Sequence, residues 1–167
     1  SAYNKRRAAC EQGVEWVKEQ YPDVKSLRNV SLEMLDECVK GKDSNVYTKC
    51  RFVIEEIDRL QKAAQELKSG NLTALGRLMF QTHEGLRSAY EVSCGELDFL
   101  VDAVKPLDYV LGARMMGGGF GGCTINIVKE EKIDELIENI TSAYNQKFGL
   151  QLAAYVVTTD DGTSVIS

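Results

Sequence analysis

The sequence predicts an α+β fold, in which helices pack on one face of a small, mostly antiparallel four-stranded sheet. Three observations lead to this prediction. Apolar side chains recur at helical spacing through the first 104 residues, strand-like runs flank a glycine cluster at residues 112–123, and two more strand-like runs lie near the C-terminus. Helices followed by a run of strands are typical of α+β folds. The 167 residues suffice for one domain with a core, or for one lobe of a larger protein.

Six helices are predicted where apolar residues recur every three or four positions. They cover residues 2–20, 31–41, 44–68, 72–90, 93–104 and 133–149, each boundary being approximate. Ser31 is the predicted N-cap of the second helix. Ser93, with Glu96 three residues later, has the spacing of a capping box at the start of the fifth helix.

The third helix has the clearest division into two faces. Its apolar stripe runs from Val46 to Leu67. The opposite face carries the charged residues Lys49, Glu55, Glu56, Arg59, Lys62 and Glu66. We therefore expect this helix to pack on one side only, with Lys49 on the solvent side.

Four strands are predicted from short β-branched and alternating runs. They lie at residues 109–111, 124–128, 154–158 and 164–166, and the last two flank a turn at residues 160–162. The carboxylates of that turn are explained by turn chemistry rather than by a metal site.

The glycine cluster contains six of the chain's 14 glycines within twelve residues. Glycine accepts positive φ and allows another group to approach the backbone closely. Gly117, Gly119 and Gly122 fit G-x-G-x-x-G, but a strand follows where the dinucleotide fingerprint requires a helix. A Walker A loop requires Lys and Ser/Thr after its last glycine, and Cys123 stands there. The residues alone leave open a tight strand connection or a site of ligand approach.

Composition argues against several classes of function. The net charge is −5 and basic residues are not clustered, so a nucleic-acid partner is not expected. No run approaches the roughly 20 apolar residues of a membrane span, so no membrane partner is expected. Five cysteines without a C-x-x-C pair indicate reduced thiols in a cytoplasmic protein, with Cys94 and Cys123 expected in the core.

Three segments together resemble the galactokinases of the GHMP small-molecule kinase superfamily. The stretch GARMMGGGFGGC at residues 112–123 resembles the third conserved motif of the superfamily. HEGLRSAYEVSCGELD at residues 83–98 resembles the galactokinase segment just upstream of that motif. YNKRRAAC at residues 3–10 resembles the helix that opens the galactokinase C-terminal half. The three occur in the family's order and cover essentially the whole chain.

The resemblance implies that residues 1–167 form a ferredoxin-like GHMP kinase C-terminal domain. It implies that the sugar-binding element, the phosphate loop and the catalytic aspartate lie in an N-terminal domain outside this sequence. The reaction implied is transfer of the ATP γ-phosphoryl to the C1 hydroxyl of galactose, with ATP and Mg²⁺ bound mainly by that domain. The implied partners are galactose, ATP and the N-terminal domain. The isolated chain is expected to be inactive and to expose an apolar face through which it could dimerise.

The resemblance also assigns positioning roles to a few residues. Tyr3 matches a tyrosine that contacts the sugar. The glycines would bring backbone close to the phosphate and sugar end of the cleft, and they are Gly117, Gly118, Gly119, Gly121 and Gly122. The resemblance places no catalytic side chain and no metal ligand in this chain.

His83 and Arg114 are candidates without an assigned chemical role. His83 is the only histidine, and we interpret it as a structural residue hydrogen-bonded between helices. Arg114 could meet a phosphate or pair with Glu91 or Glu96.

Two alternatives to a galactokinase lobe remain open. One is a kinase for a related sugar or N-acetylgalactosamine, and the other is a galactokinase-like sensor that binds sugar and ATP without turnover.

Overall fold

The computed structural model of the chain describes residues 2–159. This range contains six α-helices and two β-strands, in the order α1 (Ala2–Lys18), α2 (Leu32–Cys38), α3 (Ser44–Lys68), α4 (Leu72–Ser88), α5 (Gly95–Val104), β1 (Val110–Met116), β2 (Cys123–Val128) and α6 (Ile133–Phe148). Short 3-10 turns at Leu27–Asn29 and Glu130–Lys132 precede α2 and α6. The α+β class is confirmed, and all six predicted helices are present.

The helix caps show where local sequence signals suffice. The Met34 N–H donates to Ser31 Oγ at 3.3 Å, so the predicted N-cap of α2 is confirmed. The capping box predicted for α5 is wrong, because Cys94 is the N-cap and makes no side-chain cap hydrogen bond. Ser93 Oγ instead donates to Asp98 Oδ1 at 2.6 Å, since a hydroxyl bonds more strongly to a carboxylate than to a neutral acceptor.

The first apolar core lies between α1, α2 and α3. Val17, Leu35 and Cys50 are completely buried in it. Helix α1 crosses α3 closely at Gly13, where an added Cβ would lie 2.3 Å from Cys50 Sγ. This core covers only the first half of α3, because Leu60 and Leu67 farther along the predicted apolar stripe are exposed.

A second core joins the sheet to α5 and α6. Its buried members are Val101, Val104, Tyr109, Val110, Ala113 and Leu136. A third, smaller cluster consists of Val92, Leu97 and Met115, and it connects the start of α5 to the end of β1.

The described sheet consists of β1 and β2, paired antiparallel. The register shifts between Val110 and Gly112, so Leu111 is an extra residue of a β-bulge. Helix α4 packs directly on this bulge, since an added Cβ on Gly76 would lie 1.9 Å from the Leu111 carbonyl oxygen. An added Cβ on Gly112 would lie 2.3 Å from Gly76 Cα. Two glycines thus let the α4 and β1 backbones touch.

The strand predicted at residues 154–158 is not formed. Residues 151–159 have no regular secondary structure. Tyr155, Val156 and Val157 are exposed, because β-branched residues form a strand only when a neighbouring strand accepts their backbone hydrogen bonds. The predicted turn at 160–162 and the predicted strand at 164–166 lie outside the described residues. The four-stranded sheet therefore stays a prediction.

Among residues 2–159, no helix is long and apolar enough to cross a membrane.

Candidate functional site

The glycine cluster divides into a strand part and a loop part. Residues 112–116 belong to β1 and pair with β2, whereas residues 117–122 form the connection, called here the glycine loop. Positive φ angles occur at Gly117, Gly119, Gly121 and Gly122, and also at Phe120, whose φ is 61°. Because five of six residues have positive φ, glycine is needed at most of these positions for conformational reasons.

Two residues of the glycine loop rest against another part of the backbone. The Phe120 N–H donates to the Val92 carbonyl oxygen at 2.7 Å. An added Cβ on Gly119 would lie 2.1 Å from that same oxygen, far inside van der Waals contact. Added Cβ atoms on Gly117, Gly118 and Gly121 would meet nothing within 4 Å. The loop therefore contacts Val92 at Gly119 and Phe120, and it is open at Gly117, Gly118 and Gly121.

Val92 belongs to the connection between α4 and α5, called here the 89–92 bend. Glu91 at its centre has a φ of 56°, in the left-handed region that non-glycine residues rarely adopt. The buried ammonium of Lys49 donates to the Ala89 carbonyl oxygen at 2.6 Å and pairs with Glu91 Oε2. The hydrogen bond that the Glu91 carboxylate accepts from Lys49 lowers the pKa of the Glu91 carboxyl. Lys49 is only 2% exposed, so its predicted solvent position is wrong.

Helix α1 binds the same bend from its N-terminal end. Arg6 Nε donates to the Tyr90 carbonyl oxygen at 2.7 Å, and Arg6 Nη2 donates to the Glu91 carbonyl oxygen at 3.1 Å. The Tyr90 ring stacks on Phe52 of α3 with centroids 5.1 Å apart. Tyr3 lies one helical turn before Arg6 and is 55% exposed. The three-residue spacing puts Tyr3 on the helix face that contacts the bend.

His83 anchors the strand that leads into the glycine loop. The Met115 N–H donates to His83 Nδ1 at 3.1 Å, so the neutral ring carries its proton on Nε2. Nε2 faces Asp98 Oδ1 at 3.3 Å without forming a hydrogen bond. Burial lowers the pKa of His83, and the neighbouring Asp98 carboxylate only partly opposes this. His83 is thus hydrogen-bonded between a helix and a strand, not between two helices as predicted.

Arg114 and Cys123 differ from expectation. Arg114 Nη1 donates to the Met115 carbonyl oxygen at 3.1 Å, and in the described range it forms no ion pair with Glu91 or Glu96. Cys123 is exposed, so its predicted core position is wrong, whereas Cys94 is partly buried and packs against the cluster of Val92, Leu97 and Met115. Cys123 lies at the start of β2, where the chain leaves the exposed loop.

Sequence reasoning missed the residues that hold the loop. Val92, Lys49 and Arg6 carry no pattern that links them to residues 117–122, since the contacts join distant segments. One signal was available. Residues 3–10, 83–98 and 112–123 were singled out by family resemblance, and the structure brings parts of all three together at the bend.

The chain matches the family described as GHMP kinases C terminal over residues 55–146, more than half its length. It therefore belongs to that family. The matched region contains α4, α5, the glycine loop and both strands.

Its curated relatives include galactokinases. The chain is 37% identical to galactokinase of Thermotoga maritima over 166 residues, which is 99% of this chain and 45% of the relative. It is 40% identical to galactokinase of Clostridium perfringens strain SM101 over 163 residues, which is 97% of this chain and 42% of the relative. The chain thus spans less than half the length of these relatives.

A solved structure gives the same likeness. The crystal structure of Lactococcus lactis galactokinase complexed with galactose matches with a TM-score of 0.82 and 31% identity. The match covers 90% of this chain and 39% of the solved one.

Proposed function

We propose that residues 1–167 are the C-terminal domain of a galactokinase, which transfers the ATP γ-phosphoryl to the C1 hydroxyl of galactose. The observation that carries the proposal is the glycine loop, whose backbone contacts Val92 at two residues and is open at three others. The similarity to galactokinases over 99% of the chain supports the choice of substrate. We propose that an N-terminal domain completes the protein, since the relatives are more than twice as long.

The proposed role of this domain is to position substrates. Phosphoryl transfer depends mainly on positioning and charge neutralisation, so a rigid wall of the cleft can control its rate. Backbone without side chains at Gly117, Gly118 and Gly121 leaves room for a phosphate or sugar to approach. Tyr3, at the exposed start of α1, is proposed to contact the sugar.

ATP and Mg²⁺ are proposed to be held mainly by the N-terminal domain. The open backbone of the glycine loop fits the approach of a phosphate group. Residues 2–159 hold no cluster of three or more His, Cys, Asp or Glu side chains suited to a metal ion. When bound, Mg²⁺ neutralises charge on the phosphates.

The finer fold is part of the same proposal. We propose that residues 154–158 pair as a strand once the domain is in its complete setting, which would extend the sheet toward the predicted four strands. The exposed side chains of Tyr155, Val156 and Val157 would then be covered.

The test is a phosphorylation assay on the full-length protein with ATP, Mg²⁺ and galactose, with galactose 1-phosphate as the product measured. N-acetylgalactosamine in place of galactose tests the related-kinase alternative. Sugar binding without turnover would support the sensor and contradict the proposal. The chain of 167 residues alone is expected to form no product, and product formation by it would contradict the division of labour proposed here.

A further inference from the structure

Lys49 is a charged residue on the buried face of α3, beside Val46, Cys50 and Phe52. Lys62, farther along the same helix, instead has an exposed side chain that pairs with Asp58 at 2.7 Å. The Lys49 side chain is 3% exposed. Removing an ammonium from water is costly unless its partners are close and well placed. A buried lysine is therefore stable only when its hydrogen-bond and ion-pair partners are held in place.

The partners of Lys49 all lie in the 89–92 bend. Its Nζ donates to the Ala89 carbonyl oxygen and pairs with the Glu91 carboxylate, which Arg6 also approaches, at 3.6 Å. Both cations thus converge on one short segment from two different helices. Neither has another hydrogen-bond or ion-pair partner within residues 2–159.

The bend needs such support because of its backbone conformation. Glu91 has a φ of 56°, and a non-glycine residue in the left-handed region is held there only when its surroundings impose it. Lys49 contacts the backbone two residues before Glu91, at the Ala89 carbonyl oxygen, and also the Glu91 side chain itself. The next residue, Val92, directs its carbonyl oxygen at the glycine loop.

We infer that Lys49 is a positioning residue for the glycine loop. Its ammonium fixes the 89–92 bend, the bend fixes the Val92 carbonyl oxygen, and that oxygen seats Gly119 and Phe120. Lys49 itself does not touch the loop. The consequence for turnover rests on the function proposed above, in which the loop is a wall of the substrate cleft.

The direct test is hydrogen exchange at the Phe120 amide, followed by NMR in the 167-residue chain. Lys49→Met removes the charge and keeps the length of the side chain. Lys62→Met is the matched control, because it removes an exposed lysine from the same helix. We expect the Phe120 amide to exchange at least about tenfold faster in Lys49→Met than in the control, while amides of the β1–β2 ladder change less than about twofold.

Two results would overturn the inference. One is an unchanged Phe120 rate in folded Lys49→Met, and the other is equal acceleration at Phe120 and in the ladder. If Lys49→Met does not fold, Glu91→Gln replaces it, because this exposed side chain can lose its charge without leaving a cavity. An unchanged Phe120 rate in Glu91→Gln would then refute the inference.

Turnover separates this inference from the proposed function. In the full-length protein, we expect Lys49→Met to lower kcat/KM for galactose at least about tenfold, with Lys62→Met within about twofold of the unmutated protein. Unchanged kcat/KM alongside faster Phe120 exchange would refute a positioning role in the reaction. Absence of any galactose phosphorylation by the unmutated protein would refute the proposed function, while the exchange measurement would still decide how the loop is held.

Discussion

Three alanine substitutions in the glycine loop separate conformational strain from backbone contact. Gly118 does not have a positive φ, and a Cβ added to it would lie in open space, so Gly118→Ala is the control. Gly117 has a φ of 89° with open space, so Gly117→Ala adds strain alone. Gly119 has a φ of 84° and would place Cβ 2.1 Å from the Val92 carbonyl oxygen, so Gly119→Ala adds both.

The expected costs follow from these geometries. Gly118→Ala should change the free energy of unfolding by less than about 0.5 kcal/mol. Gly117→Ala should cost about 1–2 kcal/mol, the penalty of a left-handed alanine. Gly119→Ala carries the same penalty and loses the hydrogen bond to Val92, about 1 kcal/mol, with about 1–3 kcal/mol for overpacking. Its total is about 3–6 kcal/mol.

Urea unfolding of the 167-residue chain measures these costs. With a slope of about 2 kcal/mol per molar urea, the midpoint should fall by roughly 2 M for Gly119→Ala and by less than about 1 M for Gly117→Ala. If the loop detaches without unfolding the domain, the midpoint moves less, but the Phe120 amide loses its protection from exchange. Equal urea midpoints and equal Phe120 exchange rates for Gly119→Ala and Gly117→Ala would refute the contact between the glycine loop and the Val92 carbonyl oxygen.

Three further predictions concern stability and thiol chemistry. The pKa of His83 is lower in the folded chain than in the unfolded one. The free energy of unfolding should therefore be highest above pH about 6.5 and fall as the pH drops toward the folded-state pKa. His83→Gln should lose less stability between pH 7.5 and 5.5, as measured by urea unfolding. Gly76→Ala should destabilise the chain by about 3 kcal/mol in the same assay, because its Cβ would collide with the Leu111 carbonyl oxygen, although alanine is usually the better helix former. The neighbouring Cys50 thiol and the Tyr90 hydroxyl lower the pKa of Cys10 to about 7. Iodoacetamide should therefore alkylate Cys10 with a midpoint below the ordinary value of about 8.5, and Cys50→Ala should raise that midpoint.

The helices could be predicted from sequence because their signals are local. The apolar spacing that marks α1 to α6 lies within each segment, and the Ser31 cap acts over three residues. The Ser93 cap failed for the opposite reason, since Asp98 offered its hydroxyl a charged acceptor. Strand predictions failed where strand formation depends on pairing with another strand. Residues 112–116 form a strand despite their glycine because β2 pairs with them, and residues 154–158 form none without a partner.

The site could be predicted only in part. The composition of residues 112–123 predicted unusual backbone, and residues 117–122 have it. Glycine content could not show which residue is seated, because that depends on Val92, 27 positions earlier in the chain. The partners of Lys49 were beyond prediction for the same reason. Its charge led to the solvent assignment, although it lies three residues after the buried Val46 on the same face of α3. Its partners are a carbonyl and a carboxylate 40 and 42 positions later in the chain.

The two kinds of positive φ at this site differ in how they are maintained. At Gly119 the conformation is inexpensive, because glycine has no Cβ, and its cost appears only on substitution. At Glu91 it is unfavourable in the native sequence and is offset by Lys49 and Arg6, which reach it from α3 and α1. Gly119 therefore contacts Val92, which directly follows the strained Glu91, and the conformation of Glu91 is held by the charges of Lys49 and Arg6. The position of the glycine loop therefore depends on helices α1 and α3. Substitutions in these helices can displace the loop although they do not touch it.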